Sequence, residues 1–189
     1  MSAPLGLRLM LIHRLSLRIR QFYFSRVAKY TKADESFAHS YLNIQEWAVF
    51  CQLPWFEKKH SVVVGRRMLF EAKEHPELDE RKLVRLGLLH DIGKVLEHNS
   101  IYSKAFMVLL RFFMPRLYDY LADVGEHKRL FRRFYVHKHH GREGARLLER
   151  MGESSEILAM IAKHDPHLNP WGEDDPLALK LLQEADSSY

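Results

Sequence analysis

The stretch LVRLGLLHDIGK, residues 83–94, decides how the chain folds. Leu83, Leu86 and His90 fall along one stripe at helical spacing, so a helix capped at its start by Asp79 carries His90 toward the interior before Gly93 ends it. An imidazole beside a carboxylate, at His90 and Asp91, is costly to bury unless something satisfies both, and a bound metal ion does so while also holding water or substrate.

Working outward, further chemistry-bearing residues fall on apolar helical faces: His60 upstream, then His140, His164 and Asp186 downstream. Asp34 and Asn43 are candidate N-caps, and Asn43 with Glu46 has capping-box spacing. Pro54 suits the first turn of a helix running through His60 to about Lys73. A long apolar and aromatic stretch, Ile101 to Leu121, is interrupted by Pro115, and a helical segment from Glu126 to about His137 leads to His140. From there Gly144, Leu147, Leu148 and Met151 continue a helix that Gly152 ends. Ile157, Met160, Ile161 and His164 share the next helical face, stopped by Pro166. Pro176 opens a last helix bearing Leu179, Leu182 and Asp186. Strand signals are scarce, so the expected class is all-α. No internal repeat, linker or low-complexity segment stands out.

With 189 residues, 47% of them hydrophobic, the chain has the size of one domain with a substantial core. The single cysteine, Cys51, excludes an intrachain disulfide and a multi-thiolate zinc site, and is expected in the core. Any metal chemistry therefore rests on nitrogen and oxygen ligands. The formal charge of +5 is uneven. Residues 1–30 carry Arg8, Arg14, Arg18, Arg20, Arg26 and Lys29 and no acid, whereas acids outnumber bases from Glu153 onward. No recognition motif accompanies the basic residues, so no specific nucleic-acid partner is expected. The arginines also interrupt the apolar run Leu5 to Ile19, leaving no span of about 20 apolar residues. Residues 1–30 read as a basic amphipathic helix that packs on its own domain or on a partner subunit, with peripheral membrane contact as the alternative. The expected location is cytoplasmic, peripheral at a membrane in that alternative.

A lone histidine on an apolar face is usually a core residue bonded to a carbonyl, and His13, His39, His75, His98, His127, His137 and His139 are expected at the surface or in loops. The ensemble says more. HDIGK at His90 to Lys94, KKHSVVVGRRML around His60, HHGREGARLLERMG around His140, IAKHD around His164 and LLQEAD ending at Asp186 together resemble the HD superfamily, a helical fold with a metal site between helices. The likeness covers roughly residues 40–189. Similar bacterial HD-domain proteins share YLNIQEWAVFCQLPWFEKKHS and an RxRQF-like start near Arg18, which extends it to about residue 17. The division this implies is an N-terminal helix over 1–30 and an HD domain over 31–189, with an aromatic and basic helical insertion within 91–140.

The resemblance implies a ligand set. His60, His90, Asp91 and Asp186 would hold one metal, and Asp91 would bridge to a second held by His140 and His164. His139 rivals His140, which is preferred because the similar pattern has histidine four residues before Gly144-Ala145. The two middle histidines favour a dinuclear centre over a mononuclear one. Two divalent or mixed-valent ions are implied, with iron, manganese, nickel, cobalt and zinc all compatible with such ligands. The implied activity is a metal-dependent phosphohydrolase acting on a nucleotide or other small phosphate ester through a metal-activated hydroxide, with Asp91 and Lys94 in the catalytic set. Lys94 would bind phosphate or stabilise the leaving group; as a bland alternative it is a solvated lysine after a helix end. No GYP motif follows His164, which argues against cyclic dinucleotide hydrolysis. The pattern looks more like small bacterial enzymes cleaving dinucleoside polyphosphates. It also looks like diiron oxygenases of the same superfamily, and a regulatory or ligand-binding protein that keeps the metal site is a third class. Between Asp91 and His140, aromatic residues interleave with arginines, either as packing of a helical hairpin or as a lid in which Arg132 and Arg133 contact substrate.

Overall fold

A computed structural model describes residues 29–97 and 100–188. The described residues form nine α-helices and no strand: α1 (Lys32–Tyr41), α2 (Ile44–Phe50), α3 (Trp55–Glu74), α4 (Glu80–Leu89), α5 (Ile101–Phe113), α6 (Pro115–His127), α7 (Arg132–Glu149), α8 (Ser155–Ala162) and α9 (Leu177–Ser187). Short 3-10 helices, Ile92–Leu96 and Arg129–Phe131, precede α5 and α7. The expected helix over 1–30 falls almost wholly outside the described residues, as does His98. No helix among the described residues is long and apolar enough to cross a membrane.

Local chemistry explains the helix starts. Asn43 and Glu46 form the anticipated capping box at α2, and Asp79 accepts the Lys82 N–H at the head of α4. At α1 the cap is Thr31 rather than Asp34, which instead occupies the third helical position and reaches back to the Thr31 N–H at 2.9 Å. The buried Asp34 also pairs with Lys59 at 2.9 Å and Arg66 at 3.0 Å, tying α1 to α3. Pro54 stands just before α3, as its cap, and Pro115 opens α6.

The main core is built from α3, α4, α8 and α9, with Val62, Met68, Leu86, Leu89, Ile161 and Leu182 fully enclosed. Helices α3 and α4 run antiparallel, pressed backbone to backbone. A Cβ on Gly87 would stand 2.7 Å from the Gly65 Cα, so only glycine permits this approach. It sets the end of α4 against the first half of α3, which is where His90 and His60 lie. The 3-10 turn after α4 is pressed just as closely onto α7, where a Cβ on Gly93 would fall 2.0 Å from the His140 carbonyl oxygen. Gly93 was expected to end the helix; α4 in fact ends at Leu89, and Gly93 lies within the following turn as a packing glycine.

A second, smaller core joins α5, α6 and the start of α7 around Met107, Tyr118, Ala122 and Phe134. The continuous segment expected from Glu126 to His137 is broken here. Helix α6 stops at His127, Lys128 is extended, and α7 begins at Arg132, which lets Phe131 and Phe134 fold onto Tyr118. Gly152, with φ of 83°, takes the left-handed conformation that terminates the helix as anticipated. Cys51 is corrected: it caps α2 at an exposed position, because Phe50 and Leu53 take the interior places on either side.

Candidate metal centre

Five segments deliver the cluster. His60 comes from the first half of α3, His90 and Asp91 from the end of α4 and the turn after it, His140 from the middle of α7 and Asp186 from the last turn of α9. His164 is a correction to its expected helical setting. Helix α8 ends at Ala162, and His164 lies two residues beyond, in a turn that the buried Gln183 amide holds by donating to the Lys163 and Asn169 carbonyls at 2.9 and 2.8 Å.

Three rings are oriented the same way. Nδ1 of His90 lies 2.9 Å from the Gly87 carbonyl, Nδ1 of His140 2.9 Å from that of His137, and Nδ1 of His164 2.8 Å from that of Ile161. A carbonyl only accepts, so each Nδ1 carries the proton and each Nε2 presents a lone pair to the cluster. His90 Nε2 is buried with no hydrogen-bond partner.

Asp91, 2% exposed, sits at the middle of these nitrogens. Its Oδ2 is 3.3 Å from His90 Nε2 and 3.7 Å from His60 Nε2. Its Oδ1 is 3.0 Å from His140 Nε2 and 3.6 Å from His164 Nε2. Asp186 Oδ1 closes the first side at 2.8 Å from His60 and 3.5 Å from His90. Two sets of ligand atoms fall within 4.8 Å of one another, His60 with His90 and Asp186, and His90 with Asp91 and His164. His140 joins the second set through Asp91 and through His164, whose Nε2 is 3.1 Å from its own. His139, its rival from the sequence, instead faces the Tyr135 ring.

Donor atoms around an ion with bonds near 2.1 Å stand about 3.0 to 3.5 Å apart, so these spacings fit metal coordination. The donor set fits as well: imidazole and carboxylate, with the orphaned His90 nitrogen among them. Electrostatics point the same way. Burial opposes charge throughout, yet Asp91 lies well below the usual carboxylate range because Lys94 and His90 stand against it. Asp186 is held low by His60 and His90. Burial alone would lower the His90 imidazole, but Asp91 and Asp186 push it up to about 10. Without an ion these carboxylates favour a second proton, on His90 Nε2; a metal ion bound there would displace that proton and take up the lone pair.

Lys94 is no solvated lysine. Its ammonium bonds Asp91 and lies 3.3 Å from Glu57, and these acids hold it above its ordinary pKa against the effect of burial. Several site residues escaped sequence reasoning. Glu57, one turn before His60, is buried and bonded to Lys104 of α5 at 2.7 Å. Burial resists its ionisation, but Lys104 and Lys94 bring it from 4.5 down to about 2. His137, expected at the surface, lies 2.6 Å from the Tyr118 hydroxyl, and burial with nearby His140 and Lys94 keeps it well below its ordinary pKa. Arg111 reaches Asp165, next to His164, at 3.3 Å. A small pocket beside the centre is lined by Glu57, Lys94, Glu97, Lys104, Val136 and His137. Arg132 lies over the Tyr135 ring and Arg133 is exposed in the first turn of α7; neither pairs with a cluster residue among the described residues. Hairpin contacts to the centre thus come from Lys104 and Arg111.

A helical domain holding a histidine and aspartate cluster between its helices is the class that fold and site define. A family model of the HD domain matches residues 58–188, and the chain belongs to that family, whose members are mostly metal-dependent phosphohydrolases. No curated protein and no solved structure matches the chain.

Proposed function

We propose that this chain is a metal-dependent phosphohydrolase with a dinuclear centre, acting on a nucleotide or another small phosphate ester. His60, His90, Asp91 and Asp186 hold one ion; Asp91, His140 and His164 hold the other. The observation that carries this reading is the division of Asp91, with Oδ2 facing His60 and His90 and Oδ1 facing His140 and His164. A carboxylate whose two oxygens serve separate nitrogen pairs is arranged as a bridge.

The ions supply a low-pKa water and neutralise charge on phosphate oxygens. The chain's own residues do the rest. Charged Lys94, fixed by Asp91 and Glu57, is an electrostatic donor to a phosphate or departing oxygen and not a proton acceptor. Lys104 keeps N–H donors beyond its bond to Glu57, and neutral His137 lines the same pocket. Lys94 and Lys104, brought from two elements onto Glu57, set two ammonium groups beside the centre, which supports a phosphate-bearing substrate.

The test is phosphate release by the purified chain across a panel of nucleotides and simple phosphate esters, with manganese, iron, nickel or cobalt added. Metal-dependent release that disappears in Asp91→Ala supports the proposal. Failure of every ester overturns it, and oxygen consumption by a two-iron form would put an oxygenase in its place.

A further inference from the structure

His137 is bonded differently from the rings of the centre. In His90, His140 and His164, Nδ1 donates to a backbone carbonyl and Nε2 presents a lone pair. In His137, three residues before His140 on α7, Nδ1 instead meets the Tyr118 hydroxyl at 2.6 Å. A hydroxyl can donate or accept, so the direction of this bond decides which nitrogen of His137 holds the proton.

Burial fixes the direction. Tyr118, from α6, is 1% exposed and lies in the small core with Met107, Ala122 and Phe134. His137 is the hydroxyl's one hydrogen-bond partner among the described residues. A hydroxyl that accepted from His137 would leave its own proton buried without an acceptor, so the Tyr118 O–H donates to Nδ1. Burial pushes the phenol above its ordinary pKa and keeps that proton on oxygen. Burial, with His140, Lys94, Lys104 and Arg111 around it, keeps the imidazole neutral. A neutral ring whose Nδ1 accepts carries its proton on Nε2. That N–H is what His137 has left to offer the pocket it lines with Lys94 and Lys104.

We infer that Tyr118 is a positioning residue, which fixes His137 as an Nε2–H donor to a phosphate oxygen of a substrate held beside Lys94 and Lys104. His137 is thereby set apart from the ligands: it offers the centre no lone pair and contributes a hydrogen bond on the substrate side. No proton is transferred. The hairpin of α5 and α6 thus acts on the site through a buried hydroxyl as well as through Lys104 and Arg111. The inference rests on the phosphohydrolase reading for the identity of the substrate.

The experiment reads the tautomer and the kinetics separately. Long-range proton–nitrogen correlation spectra of histidine-labelled, zinc-loaded protein at neutral pH, with His137 assigned by its loss in His137→Ala, report which nitrogen is protonated. The expected result is Nε2–H with a bare Nδ1 in the parent, a mixture of the two tautomers in Tyr118→Phe, and a shift of the Nε2 resonance when inorganic phosphate is added. With a hydrolysed ester, Tyr118→Phe should raise KM about three-fold with kcat kept, and should raise it no further in a His137→Ala background, as required of a residue that acts through His137. A parent protonated on Nδ1 overturns the inference. So does an Nε2 resonance that phosphate leaves unmoved, or a KM change that Tyr118→Phe produces equally without His137. Release from no ester would overturn the phosphohydrolase reading instead, and the spectra with the phosphate titration would still decide the roles of Tyr118 and His137.

Discussion

The Nε2 atoms of His140 and His164 face each other across 3.1 Å, and the Nδ1 proton of each ring is committed to a backbone carbonyl. Two lone pairs at that distance repel unless a cation lies with them. Asp91 Oδ1 is close to both, so the fold brings together three donors whose mutual approach is favourable only around positive charge.

His140→Ala should therefore lower the bound metal from two ions toward one per chain and weaken the remaining titratable affinity by at least about ten-fold, since a lost ligand costs no less than a lost supporting contact. Asp91→Ala should lose both ions. Elemental analysis with calorimetric metal titration checks this, and a His140→Ala protein that retains full stoichiometry would remove His140 from the centre.

Gly93→Ala places a methyl group 2.0 Å from the His140 carbonyl oxygen, against backbone that cannot swing aside. The 3-10 turn must separate from α7, at a cost of about 3 kcal/mol or more. Metal retention should fall with it, because Asp91 and His140 ride on the two segments being parted. Denaturant midpoints and metal content read the effect; a variant as stable as the parent would show that the contact is looser than described.

Glu57 is buried between Lys94 and Lys104, and its pKa is brought from 4.5 to about 2. A depressed carboxylate contributes stability that is present above its unfolded pKa and lost as pH falls through the folded value. The window is pH 4.5 down to about 2, and the shift corresponds to roughly 3 kcal/mol. Glu57→Gln should be less stable at neutral pH by that order, and the gap between variant and parent should narrow on acidification through the window. Parallel denaturant titrations at several pH values suffice. A gap independent of pH would contradict the pairing.

Lys104→Gln and His137→Gln should each raise KM about ten-fold with kcat largely kept, the loss of one hydrogen bond to a charged group. Lys104→Arg should restore part of the affinity. The paired change of Arg132 and Arg133 to alanine should move KM less than Lys104→Gln does, because Arg132 is spent on Tyr135 and Arg133 stands exposed in the first turn of α7. A larger effect from the arginines would return the substrate surface to where the sequence suggested it.

Much of the cluster was readable from residue order. HDIGK and the helical phase of His60 and Asp186 are local patterns, and local periodicity aims a side chain inward without knowledge of its neighbours. His140 was separable from His139 by its distance from Gly144. What stayed hidden was non-local. The setting of His164 depends on Gln183, some 20 residues later, holding the turn after α8. The burial of His137 depends on Tyr118. Glu57 carries no local signal of its burial, because Lys94 and Lys104, which pair with it, come from two other elements. Cys51 was placed in the core on residue type alone, whereas its neighbours Phe50 and Leu53 fill that space.

The most direct measurement is phosphate release as metal is titrated into metal-free protein. Release should rise with added metal, reach its maximum at two ions per chain, and be absent at every metal level in Asp91→Ala. Saturation at one ion would contradict the bridging role of Asp91, and two tightly bound ions without release from any phosphate ester would contradict the hydrolase itself.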